Sequence, residues 1–252
     1  MSTVSHKHHA WILGGLVFIV TTLQYFAAQI LVSAAWKNPS YSWNRNYISD
    51  LGNTACGDFS LSEHVSRVCS PKHGVMNASF MLSGVLLIVG ALLLWRLWPH
   101  TKLARVGEVL LLLAGLLKIV VGLAPENKNL ALHTLGATNL VIGSVAVLLL
   151  SLSVRRSHPV VQWLGIPTSV VGLAGGTLFT MSQRAGHSPI PGLGVGGLER
   201  LAGYPFNLWM VGIGLLAIAR ASGESLRSLS QEDAASGVSV GPESRHAHRA
   251  AT

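Results

Sequence analysis

Six apolar stretches, each about long enough to cross a bilayer, divide this chain and restrict the architectures open to it. They are residues 10–35, 74–95, 106–124, 131–150, 159–182 and 201–219. Roughly 20 mostly apolar residues carry a helix through a hydrocarbon layer of about 30 Å. Within that layer the backbone must satisfy its own hydrogen bonds, so each stretch is expected to be helical. The expected fold is all-α: a polytopic six-transmembrane-helix bundle over residues 10–220, with a structured loop at 36–73 after the first helix. Residues 1–9 form a short N-terminus. The tail 221–252 is rich in Ser, Ala and Gly without apolar periodicity, too little to offset chain entropy, and is expected to be disordered.

Charge placement assigns the sides. Only 11% of residues are charged, and the net charge is +8. Arg96, His100, Lys102 and Arg105 lie between the second and third stretches with no acid, as do Arg155, Arg156 and His158 between the fourth and fifth. Positive residues in short loops mark the cytoplasmic face, which puts Lys7 and the C-terminal tail inside as well. Segments 36–73, 125–130 and 183–200 then face outward and carry Asp50, Asp58, Glu63, Glu126 and Glu199 against seven Lys/Arg. The basic excess is read as topology and contact with anionic lipid; a nucleic-acid partner is not expected, because no basic-aromatic motif accompanies it. The first stretch is read as an uncleaved anchor. Ser33-Ala34-Ala35 resembles a cleavage site, but the apolar run exceeds the roughly 7–15 residues of a signal core.

Cys56 and Cys69, the only cysteines, both fall in the first outer segment, where an oxidising exterior permits a disulfide. Two free thiols are the alternative, and no CxxC spacing supports a metal site. The long segment 36–73 is expected to fold as a cap over the outer mouth, with a short helix within Phe59 to Val68. Gly172-Leu173-Ala174-Gly175-Gly176 places a GxxxG spacing in the fifth span, and Gly136 and Gly143 lie in the fourth; close helix packing is the reading. Pro167 is expected to bend the fifth span. Gly192-Leu193-Gly194-Val195-Gly196-Gly197 reads as a flexible outer turn, since no strand precedes it. His246 and His248 in the tail are read as solvated.

Ionisable groups at membrane depth are costly and point to function. Glu108 lies one turn from Arg105, consistent with an interfacial ion pair. Lys118 sits six residues before Ala124, about 9 Å below the outer end at 1.5 Å per residue. Its side chain tilts toward the helix N-terminus and so toward the bilayer middle. It calls for a partner, with Asp50, Glu126 and Glu199 as candidate acids. A packing pair, a ligand or proton site, and snorkelling all remain open for it. Further polar residues gather at the same level: His73 and Asn77 on one helical face, His133 opening the fourth span, and Glu199 with Arg200 before the sixth. Asp50, His73, Asn77, Lys118, Glu126, His133, Glu199 and Arg200 make up the candidate outer polar pocket. Each has a local structural explanation; their convergence raises the functional one.

Asn46-Tyr47-Ile48-Ser49-Asp50-Leu51-Gly52, then Cys56-Gly57 and His73 with Met76-Asn77, resemble the bacterial membrane family known as domain of unknown function 998. Pro125-Glu126-Asn127, His133 with Gly136-Ala137, Gly197-Leu198-Glu199-Arg200 and Tyr204-Pro205 are similar too. The resemblance spans nearly all of residues 10–220. It implies a multi-pass protein of the bacterial cytoplasmic membrane and points to the outer polar cluster, without naming a reaction, a catalytic residue or a cofactor.

Four functions compete on this reading. The first is a non-enzymatic bundle, with membrane lipids as partners, that binds or helps move a lipid or amphiphile; Lys118 and Arg200 would meet an anionic headgroup, and Tyr41 and Trp43 would shield the apolar part. The second is a membrane-embedded hydrolase or transferase on a lipid-linked substrate. There Asp50 or Glu126 would be the base and His73 or His133 an acid or zinc ligand, although no HExxH or GxSxG spacing is present. The third is a small ion- or proton-coupled transporter, and the fourth a structural role. Oligomeric state is not legible.

Overall fold

The first and longest connection of the chain, between its first two helices, shapes one end of the molecule. In a computed structural model, residues 2–61, 64–154 and 158–235 are described, with side chains over 8–60, 64–154 and 158–223. The elements run α1 Ser2–Ala34, β1 Cys56–Leu61, β2 His64–Cys69, α2 His73–Leu94, α3 Lys102–Leu123, α4 Leu130–Ala137, α5 Asn139–Ser153, α6 Pro159–Ala185 and α7 Val195–Ala235. Short 3-10 helices occupy Ser49–Gly52 and Trp95–Leu97. Arg155, Arg156, Glu63, His246 and His248 lie outside the described residues, as does the tail from residue 236.

Six helical spans are long and apolar enough to cross a membrane: His8–Ala34, His73–Leu97, Lys102–Leu123, Leu130–Ser153, Pro159–Ala185 and Val195–Gly223. The expected six-helix membrane bundle is the fold observed. Each span packs on its sequence neighbours, and α1 closes onto α7, so the spans form a ring. The fourth span is broken at Thr138 between α4 and α5. There Thr138 Oγ1 donates to the Leu135 carbonyl (2.6 Å) and Asn139 Nδ2 to the Gly136 carbonyl (2.8 Å), so side chains satisfy carbonyls at the break.

Small residues set the helix contacts. A Cβ on Gly115 would stand 2.9 Å from the Gly84 carbonyl oxygen, and one on Gly214 would stand 2.6 Å from that of Gly15. Gly175 likewise meets the backbone of Ala202 on α7, which supports the packing expected of the GxxxG stretch. Two apolar clusters fill the interior. One surrounds Trp209, Phe18, Leu87 and Leu150; the other joins Tyr25, Val32, Met76, Phe80 and Val121 to Trp36, Ile48 and Leu51 of the long connection. That connection is therefore part of the core and closes one end of the ring, here called the capped end.

Three local expectations change. The stretch expected to hold a short helix is an antiparallel hairpin, with Cys56 opposite Cys69 and Leu61 opposite His64. Its second strand alternates, Ser66 and Val68 buried and Val65 and Arg67 exposed, which is the period of a strand with one covered face. The glycine run before α7 is ordered rather than flexible. Asn44 Oδ1 accepts from the Gly194 N–H (2.7 Å), Asn44 Nδ2 donates to the Gly192 carbonyl (3.2 Å), and the Gly197 N–H donates to the Asn44 carbonyl (3.1 Å). Glycine is required because the cap backbone lies where side chains would be: a Cβ on Gly196 would overlap the Asn46 carbonyl oxygen. Finally, α7 continues to Ala235, so the first part of the segment expected to be disordered is helical. It extends a helix already nucleated in the bundle, so the cost of starting a new one does not arise.

Candidate functional site

The cap is held to the bundle by buried polar groups, and most of the candidate residues belong to this network. Asp50, in the 3-10 helix Ser49–Gly52, is wholly buried. Its Oδ2 accepts from Asn46 Nδ2 (2.9 Å) and from the Tyr47 N–H (3.0 Å). At the N-terminal end of the same short helix, Glu199 Oε2 accepts from the Ile48 N–H (2.5 Å). At its other end Asn77 Nδ2 donates to the Gly52 carbonyl (2.9 Å). Gly52 has no alternative there, since the Asn77 oxygen occupies the space a Cβ would need.

Arg200 is committed to the cap. Its Nη1 donates to the carbonyls of Asn46 (3.0 Å) and Gly196 (2.8 Å), and its Nη2 to the Tyr41 hydroxyl. The guanidinium also lies over the rings of Tyr41 and Trp43, 5.6 and 4.9 Å from their centres. Tyr41 passes the connection on by donating to the Tyr47 carbonyl (2.7 Å). Two side chains expected to shield a ligand instead brace this arginine.

The turn between α3 and α4 supplies the other half. Glu126 is buried, and its Oε1 accepts from Asn53 Nδ2 (3.1 Å). Asn127 Oδ1 accepts from the Thr54 N–H (3.1 Å) and its Nδ2 donates to Thr54 Oγ1 (2.9 Å). The remaining carboxyl oxygens, Asp50 Oδ1 and Glu126 Oε2, have no N–H donor. The two carboxyl groups lie close enough for a proton to bridge them, and the Ser66 hydroxyl, itself unpartnered, stands beside Asp50. Two carboxyl groups can bond only if one keeps a proton. Burial pushes both above the ordinary carboxylate range, Glu126 the further because the Asp50 carboxylate beside it favours the protonated form.

Three candidates stand apart. Lys118 is buried, with Nζ 3.9 Å from the centre of the Tyr25 ring. Among the described residues it has no acid within ion-pairing distance; the acids expected to answer it, Asp50, Glu126 and Glu199, bond to cap groups instead. His133 Nδ1 meets the Ala124 carbonyl (2.8 Å), tying α4 to the end of α3. His73 Nδ1 meets the Ser70 carbonyl (2.9 Å). Among the described residues neither imidazole reaches a carboxylate within ion-pairing distance, and no three His, Cys, Asp or Glu side chains gather as a metal site. Glu108 pairs with Arg105 at 2.7 Å, as expected for an interfacial ion pair.

Sequence reasoning missed Asn53, Ser66 and Tyr25, whose roles come from contacts across the fold. Asn53 and Tyr25 sit among apolar or turn residues that look ordinary, and Ser66 is legible only once its strand is known. The Cys56–Cys69 disulfide is present and joins the two ends of the hairpin. Outside the cap, an apolar cavity of about 570 Å³ opens at the opposite end of the bundle, between Leu97 and Trp98, Val154, the start of α6, and Ile213, Leu216 and Ala219 of α7. His158 and Arg220 stand on its wall.

Residues 10–216 match the family described as "Protein of unknown function (DUF998)". No curated protein and no solved structure matches the chain.

Proposed function

The chain belongs to the DUF998 family of proteins of unknown function, and from that membership and its six membrane helices we propose that it binds an anionic lipid or related amphiphile. The carrying observation is the cavity of about 570 Å³ at the uncapped end. Ligand pockets commonly enclose about 300–1,000 Å³ and are mainly apolar with a few placed polar groups. Here the apolar wall suits an acyl chain. Arg220, stacked over Trp11 and meeting His158 at 3.4 Å, stands with that histidine where a headgroup would lie. Basic pockets between helices on the cytoplasmic side are suited to anionic headgroups. Arg96, Lys102 and Arg105 belong to the same end, which supports placing it, and both termini, on the cytoplasmic face of a bacterial membrane.

The candidate residues read from the sequence place such a site at the capped end. Its cation Arg200 is bonded to cap carbonyls and Tyr41, and Lys118 rests on Tyr25, so neither is poised for a headgroup. The amphiphile reading moves to the other end. An enzyme acting on a lipid-linked substrate gains less support, because His73 and His133 each engage a backbone carbonyl rather than a carboxylate.

The test is lipid retention by the full-length protein, measured by mass spectrometry after purification in mild detergent. Ala219→Phe, which fills the cavity, is expected to remove the bound lipid. Arg220→Ala is expected to weaken anionic lipid by roughly fivefold, the equivalent of about 1 kcal/mol per basic group near the surface. Retention of the same lipids at the same occupancy in both variants would overturn the proposal.

A further inference from the structure

We propose that Asp50 and Glu126 form one proton-binding site, and that the proton they share is the latch fastening the cap to the turn between α3 and α4. The two carboxyl groups come from segments 76 positions apart, and both are buried to within 1% of full coverage. Each has one oxygen answered by an asparagine, Asn46 for Asp50 and Asn53 for Glu126. The other oxygens, Asp50 Oδ1 and Glu126 Oε2, are buried without a hydrogen-bond partner, and the two carboxyl groups are close enough to interact. The Ser66 hydroxyl, buried and without a hydrogen-bond partner, stands on the hairpin beside Asp50. A buried carboxyl oxygen left without a donor is costly, and one proton held between the two groups answers both unpartnered oxygens.

In the closed state one carboxyl is protonated and donates to the other, which is a carboxylate. Loss of that proton to water leaves two adjacent carboxylates in a space closed to solvent. A third acid, Glu199 on α7, lies near enough to add its own repulsion to both. The surrounding groups do not reverse this. Arg200 is held by Tyr41, Asn46 and Gly196, and α3 turns Lys118 toward Tyr25. Around the pair, the cap contributes the Tyr41 and Tyr47 phenols, both pushed up by burial and neutral, and the hairpin contributes His64, whose basicity burial lowers although Asp50 partly offsets it. The α2 neighbour Asn77 is uncharged.

The sign follows from proton linkage. The folded cap holds the proton above the pH at which free carboxyls lose it. The latch is complete at and below the ordinary carboxylate range, and it weakens as pH rises through the raised value of the pair. Acidification closes the cap and alkalinity loosens it.

Hydrogen exchange of backbone amides 46–53, measured on the full-length protein in nanodiscs from pH 5 to 9 and corrected for intrinsic exchange, tests this. Protection is expected to fall with rising pH by up to about tenfold per unit once the pair titrates, the slope of a single linked proton. Glu126→Gln carries a permanent N–H donor toward Asp50 and is expected to keep protection high across the whole range. His64→Gln is expected to leave the wild-type pH dependence intact. Uniform protection in the unaltered protein, or a Glu126→Gln profile that follows it, would overturn the proposal; so would loss of the dependence in His64→Gln. Infrared spectroscopy of the unaltered protein covers the case in which the variant does not fold. A protonated-carboxyl band should persist at neutral pH and bleach on alkalinisation, and its absence at neutral pH also sinks the latch.

Discussion

Lys118 and Tyr25 show how one buried charge is accommodated without an acid. The ammonium lies 3.9 Å from the ring centre, within the range where a cation is held by the negative face of an aromatic ring. Desolvated, such a contact contributes about 2 kcal/mol. Tyr25→Leu should therefore destabilise the wild type by about 2 kcal/mol more than it destabilises a Lys118→Met background. Unfolding in detergent, run as a double-mutant cycle, reads the difference. Equal losses in both backgrounds would mean that the ring acts only as apolar filling. The candidate site was legible at this scale only in part. Asp50, Glu126, Glu199 and Arg200 stood out because they are ionisable residues in a chain that holds few. Their partners did not, because an asparagine or serine signals nothing until a second segment is brought against it.

At the scale of elements, the hairpin behaves as a stapled flap. The disulfide joins residues directly opposite in the register and 13 apart in sequence, and crosslinking a loop of that size stabilises by about 3 kcal/mol in the chain-entropy model. Replacing both cysteines by serine should expose amides of the hairpin and of residues 46–53 to faster exchange. The six spans should keep their protection, since their contacts are helix on helix. Exchange mapped by mass spectrometry decides it, and a uniform loss across the spans would show that the cap organises the bundle rather than closing it. The hairpin was misread as helical because its few apolar residues fit both periods. The register and the buried face, which separate them, depend on what the strand lies against.

For the whole molecule, the two ends differ in kind. One is closed by a folded connection tied down through buried polar groups, and the other carries an apolar cavity beside basic side chains. Orientation links these features to biology. A fluorescent reporter fused after the chain's last residue should be active, and a phosphatase reporter inserted near Lys128 should be active too, because positive residues cluster at the other end. Reversed activities would put the cavity on the outer face and remove the electrostatic argument for its lipid.

The amino-acid sequence by itself determined the class of this protein. Apolar runs of bilayer length must be helices wherever water is absent, and that requirement is local, so six spans and a membrane setting follow without any tertiary knowledge. Small residues and an interfacial ion pair were legible for the same reason, through spacing along one helix. Only the tertiary structure decided which polar groups meet. It turned Lys118 onto a tyrosine, spent Arg200 on the cap, and set Asp50 against Glu126, because the partners of buried polar groups are whichever backbone and side-chain groups packing leaves within reach.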